Sequence, residues 1–147
     1  MKPLRKFDMF NYSIGDLGIN LNFQLIAFFL AYFYTDVFGL SPAHMAGLFL
    51  AARIWDAAND PLMGYLADHT RTRWGRFRPY LLFGALPLNV VMMACFFVPD
   101  LSGSAKIVYA YVTYILHVML FTAVGLPYSS ISAVLTQDQQ ERAVIST

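Results

Sequence analysis

The sequence predicts an all-α membrane protein with four transmembrane helices. Three observations carry this reading. The chain is 58% hydrophobic and only 13% charged, against roughly 25% charged for an ordinary soluble domain. Its apolar residues gather into four stretches, each of about 20 residues or more and therefore able to cross a hydrocarbon core about 30 Å thick. The basic residues fall almost entirely on alternate connections between those stretches, as expected of a chain threaded through a bilayer. Mean hydropathy is +0.52. A net charge of +1 gives no global case for a nucleic-acid partner.

Taken in order, residues 1–12 form a short basic lead-in, expected on the cytoplasmic side. Helix 1 is expected over 13–34. Its first half carries Gly15, Asp16, Gly18, Asn20, Asn22 and Gln24, and its second half, from Leu25, is plain membrane sequence. No small-residue cleavage site follows, so it reads as a retained helix and not as a cleaved signal. Gly39 and Pro42 punctuate the next connection. Helix 2 is expected over 43–67 and is followed by a polar basic loop at 68–78. Helix 3 is expected over 79–98 with Pro87 inside it, and a turn follows at 99–104. Helix 4 is expected over 106–133, broken at Gly125-Leu126-Pro127. Residues 134–147 read as a polar cytoplasmic tail. The single Cys95 lies in an apolar run, so it reads as a buried thiol and no disulfide framework can form within the chain.

Orientation follows from Lys and Arg. Lys2, Arg5 and Lys6 precede helix 1, Arg71, Arg73, Arg76 and Arg78 follow helix 2, and Arg142 lies in the tail. Lys106 stands alone on the opposite side. The basic side is expected to be cytoplasmic, with both termini of the chain there.

Helix 2 holds the chemistry. Arg53, Asp56 and Asp60 stand at i, i+3 and i+7 and share one face, with Asn59 at its edge. Ionised groups at bilayer depth cost roughly 2.5–3.5 kcal/mol each, so they usually face a protein interior or a wet cavity. One arginine against two aspartates leaves one negative charge over. A buried surplus carboxylate must bind a cation or take up a proton. A structural Arg53–Asp56 pair is the plainer alternative. Pro61 frees the Ala57 carbonyl and Pro127 frees the Ala123 carbonyl beside Thr122, which enriches the region in oxygen as a hard cation requires. Prolines are also ordinary kink formers in membrane helices. Asp16, Asn20 and Gln24 form a polar row on helix 1. Amides there suit sugar hydroxyls, which both donate and accept, or hydrogen bonds between helices.

The run Gly64–Arg78 (GYLADHTRTRWGRFR) resembles the loop 2–3 signature of the major facilitator superfamily. With Tyr34–Leu40 (YTDVFGL) and Ala52–Pro61 (ARIWDAANDP), the chain is similar to the glycoside–pentoside–hexuronide:cation symporters over nearly its whole length, 13–142. The resemblance implies the first four transmembrane helices of a major facilitator N-terminal half, in a bacterial-type inner membrane. It implies a transporter and not an enzyme, working by alternating access on a small sugar or glycoside, with sodium, lithium or a proton as coupling cation and no other cofactor. Asp56, Asn59, Asp60 and Thr122 match the family's cation site, with Arg53 as charge partner. Asn20, Gln24 and Tyr128 are the implied sugar contacts. Asp68, Arg71, Arg73, Arg76 and Arg78 match the cytoplasmic gating loop.

The chain departs from the melibiose-transporting members of that family. Acidic sugar ligands on helices 1 and 4 are replaced by Asn20 and Gly125, and a stacking aromatic by Ser129, so the galactoside pattern is not kept. The family fold has twelve helices in two halves, so a four-helix chain is expected to be a fragment that does not transport alone. Two other readings stand beside this one. A non-transporting membrane subunit or remnant is the first. The second is a metal-dependent membrane phosphotransferase, for which the Asp-x2-Asp-Gly-x2-Ala-Arg motif is absent.

Overall fold

The computed structural model describes residues 6–73, 75 and 77–135. Four helices follow one another: α1 (Lys6–Tyr32), α2 (Pro42–His69), α3 (Arg78–Cys95) and α4 (Ser104–Leu135). No strand occurs among the described residues.

Each boundary has a local cause. Helix α1 is already helical at Lys6, the first described residue, ahead of the expected 13, and nothing between Lys6 and Ser13 breaks a helix. Its far end widens into a π-helical turn, Phe33–Val37, closed by Phe38 N–H donating to the Phe33 carbonyl at 2.7 Å. Gly39, at φ +79°, then reverses the chain, a conformation costly to any residue with a Cβ. Ser41 caps α2, its Oγ accepting from the His44 N–H at 3.4 Å, and Pro42 fills the first turn, where its missing N–H costs nothing. At the other end the Thr70 hydroxyl donates to the Leu66 carbonyl at 2.7 Å. Helix α3 stops at Cys95 and not at 98. There Phe96 and Phe97 donate to Met93 and Ala94, three residues back, tightening the last turn ahead of Pro99. Helix α4 is unbroken through Pro127, which corrects the expected break at 125–127. Pro127 is fully buried, and packing holds the helix together across it.

Among the described residues, two helical stretches, Ser13–Val37 and Ser104–Ser130, are long and apolar enough to cross a membrane. Helix α2 has 28 residues, about 42 Å at 1.5 Å per residue, but its charged stripe lowers its apolarity. The apolar part of α3, Pro79–Cys95, is shorter.

Helix α4 is the hub, packing along both α2 and α3. Small residues allow the close approach. A Cβ on Gly84 of α3 would lie 2.6 Å from Val124 Cγ2, and one on Gly47 of α2 would lie 2.6 Å from the Tyr111 hydroxyl. That hydroxyl donates to the His44 carbonyl at 3.0 Å. The core lies at the end of the bundle that holds the Gly39 turn. Leu30, Tyr34, Phe38, Met45, Leu48, Cys95 and Ala110 are buried there. Phe38 stacks on Tyr109, with ring centroids 6.3 Å apart, and the Lys106 ammonium sits 4.8 Å from the Phe38 ring. Many large side chains remain exposed, among them Phe28, Leu50, Leu86 and Met93. Such surfaces suit a hydrocarbon solvent or further helices.

Candidate functional site

Toward the middle of the bundle, α1, α2 and α4 diverge around a cavity of about 520 Å³. That volume lies within the range of roughly 300–1,000 Å³ typical of small-molecule sites. Helix α2 contributes Arg53, Asp56 and Asp60, α4 contributes Tyr114, His117, Phe121 and Thr122, and α1 contributes Phe23 and Ala27.

The α2 wall is the ionic one. The i, i+3, i+7 spacing directs Arg53, Asp56 and Asp60 into one space. The Arg53 guanidinium stands 3.9 Å from Asp56 and is 85% exposed, whereas Asp56 is 26% exposed. The pair is long and one-sided, so Arg53, which precedes both aspartates on the stripe, is a loose charge partner of Asp56. Thr122 presents a hydroxyl from the facing helix. Two carboxylates and a hydroxyl form an oxygen set that suits a hard monovalent cation.

Asn59 is turned out of this space. It is buried, 5% exposed, and absent from the cavity lining. Successive residues are about 100° apart around a helix, so Asn59 points inward from the stripe while Asp60 points along it. Its Nδ2 has no hydrogen-bond partner among the described residues.

The expected sugar contacts are more scattered. Asn20 is exposed and donates to Asp16, at 2.9 Å to the carboxylate and 3.1 Å to the carbonyl. It shares the α1 stripe with Phe23 and Ala27, three and seven residues on, so it stands about one turn beyond the cavity. Gln24 is exposed beside that stripe. Tyr128 is buried against α1, where a Cβ on Gly15 would lie 2.8 Å from its hydroxyl. None of the three lines the cavity.

In the loop between α2 and α3, Thr72 and Gly75 close a tight turn through Gly75 N–H to the Thr72 carbonyl at 3.0 Å. Asp68, at the end of α2, and Arg71 and Arg73 are exposed around it. Arg78 opens α3. Arg76 lies outside the described residues, as do 1–5 and 136–147.

Several lining residues escaped the sequence reading: the aromatic residues Phe23, Phe49, Tyr114 and Phe121, and His117. Phe49 and Tyr114 meet edge to face at 5.6 Å, and Phe23 lies 5.9 Å from Phe121. A signal was present on α4. Tyr114, His117 and Phe121 share a face at i, i+3 and i+7, next to Thr122.

The sequence model of the family described as MFS/sugar transport protein matches residues 11–147. The chain belongs to that family. Four helices without strands among the described residues fit part of a major facilitator N-terminal half. Within this family the chain is 48% identical over 147 residues to YagG of Escherichia coli (strain K12), a glycoside/cation symporter by name; the match covers 100% of this chain and 32% of YagG. It is 49% identical over 140 residues to the isoprimeverose transporter of Lactiplantibacillus pentosus, covering 95% of this chain and 29% of that one. It is 44% identical over 131 residues to the inner membrane symporter YicJ of E. coli (strain K12), covering 89% and 28%. The chain thus spans about a third of the length of these family members. Their names are those of transporters, and none is that of an enzyme.

Proposed function

We propose that this chain supplies part of a sugar:cation symporter working by alternating access in a bacterial-type inner membrane. The observation that carries the reading is the cavity that Asp56 and Asp60 share with Thr122 and an aromatic wall. In this reading the carboxylates and the Thr122 hydroxyl hold the coupling cation, whether sodium, lithium or a proton. Neutralising the surplus charge lets a glycoside settle beside it against Phe23, Tyr114 and Phe121. Aromatic faces suit the apolar faces of a sugar ring, and the names of the similar symporters point to glycosides.

Asn59 braces α2 from behind and acts on the cation site indirectly. Asn20, with Gln24 beside it, extends the sugar site by one turn along α1, toward the buried Tyr128. Asp68, Arg71, Arg73, Arg76 and Arg78 form the cytoplasmic gate, with both termini of the chain on that side. The cation and the sugar are cargo in this scheme, and the bilayer is the solvent.

The test is sugar uptake into vesicles by protein expressed from its complete coding sequence, measured against sodium, lithium and pH. Asp60→Asn deletes a cation ligand without reshaping the aromatic wall. It should abolish cation stimulation and leave residual sugar binding. Asp56→Asn should do the same. Full cation stimulation in both variants would show that the pair is structural and that the cation binds elsewhere.

A further inference from the structure

His117, midway along α4, is 3% exposed, and among the described residues neither of its ring nitrogens has a hydrogen-bond partner. It borders the same cavity as Asp56, Asp60 and Thr122. A neutral imidazole carries one donor and one acceptor, and buried polar groups in native proteins are almost always satisfied. An orphaned pair at the edge of a cavity therefore points to an occupant. The ring meets Phe121 edge to face, with centroids 6.1 Å apart, and that contact satisfies neither nitrogen. The torsion that turns a histidine ring is broad and soft, so the nitrogens can swing toward whatever fills the cavity.

The chemistry of the walls identifies that occupant. Hard monovalent cations take oxygen ligands, and the two carboxylates stand on α2, with the Thr122 hydroxyl across from them. The α4 wall combines the imidazole with Tyr114 and Phe121, a set that matches a sugar: aromatic rings for its apolar faces and a donor–acceptor pair for its hydroxyls. We infer that His117 is a sugar-recognition residue, hydrogen-bonding glycoside hydroxyls in this cavity and so helping to set which glycoside is accepted. The inference rests on the symporter reading given above.

The experiment uses protein expressed from its complete coding sequence, with isoprimeverose and simple methyl glycosides as probes. His117→Phe keeps an aromatic ring and removes both polar atoms, whereas His117→Gln keeps a donor and an acceptor. The Phe variant should raise the thermal midpoint of the sugar-free protein, because it removes an unmet polar group. It should weaken binding of the transported probe about ten-fold while sodium stimulation of the remaining uptake persists. The Gln variant should recover part of the affinity. A purely structural histidine predicts a lowered midpoint and unchanged affinity, and that result overturns the inference. Should the Phe variant not fold, the Gln variant decides, because sugar affinities and selectivity identical to the unmodified protein's also overturn it. If the unmodified protein takes up none of the probes in a cation-stimulated way, the symporter reading falls and this inference falls with it. If uptake is intact and the His117 variants are indifferent, only this inference falls.

Discussion

Replacing Gly84 with alanine tests the close α3–α4 contact. The new Cβ would stand 2.6 Å from Val124 Cγ2, roughly 1 Å inside the optimal carbon–carbon separation of about 3.5–4.0 Å. Val124 is 3% exposed and β-branched, with essentially one rotamer open to it in a helix, so it cannot swing aside. Relief must come from separation of the helices or an off-rotamer valine. Overpacking of this kind costs about 1–3 kcal/mol. Alanine's better helix propensity returns about 1 kcal/mol. The expected net loss is about 1 kcal/mol. Val124→Ala alone removes two methyl groups and should cost about 1.5–2 kcal/mol. In the double variant the clash is gone, so Gly84→Ala becomes neutral or mildly stabilising, and the coupling is about 1–2 kcal/mol. The single Cys95 provides the assay: its side chain is fully buried, so maleimide labelling in detergent micelles follows opening of the bundle. Single effects that add within about 0.5 kcal/mol would refute the close approach of Gly84 to Val124.

Three further outcomes are expected. Arg53→Gln should change stability by less than about 1 kcal/mol, because the Arg53–Asp56 separation is 3.9 Å and the guanidinium is 85% exposed; a larger loss in the same labelling assay would mean that Arg53 clamps the site. Gly39→Ala should cost about 1–2 kcal/mol through its φ of +79°, and an unchanged labelling midpoint would show that the turn adopts another conformation. In a Cys95→Ala background, an impermeant thiol reagent added from outside should label Ser102→Cys and not Thr72→Cys, and the reverse pattern would invert the proposed orientation.

Much of the architecture was legible from one-dimensional patterns. Apolar run length marked four helices, and Pro42, read as a breaker ahead of a helix from 43, instead fills the first turn of α2. Helical period put Arg53, Asp56 and Asp60 on one stripe, because that geometry is a property of a single helix. The persistence of α4 through Pro127 was not legible. A proline removes one backbone hydrogen bond wherever it stands, but whether the helix breaks depends on the packing around it, and Pro127 is fully buried. Asn59 illustrates the same limit, since a residue at the edge of a stripe faces cavity or core according to where the next helix lies.

The sequence by itself determined which residues could share a face, which segments could span a bilayer and where the charge surplus falls, because these depend only on composition and on the 3.6-residue repeat. Tertiary structure alone decided what stands opposite that face. It set α4 against α2, so that Thr122, Phe121 and His117 meet Asp56 and Asp60 across about 520 Å³, and it left Asn20 one turn outside. The physical reason is that side-chain direction within a helix is local, whereas a cavity is a property of two or more helices. Its walls are chosen by close contacts such as that between Gly47 of α2 and Tyr111 of α4, residues far apart along the chain.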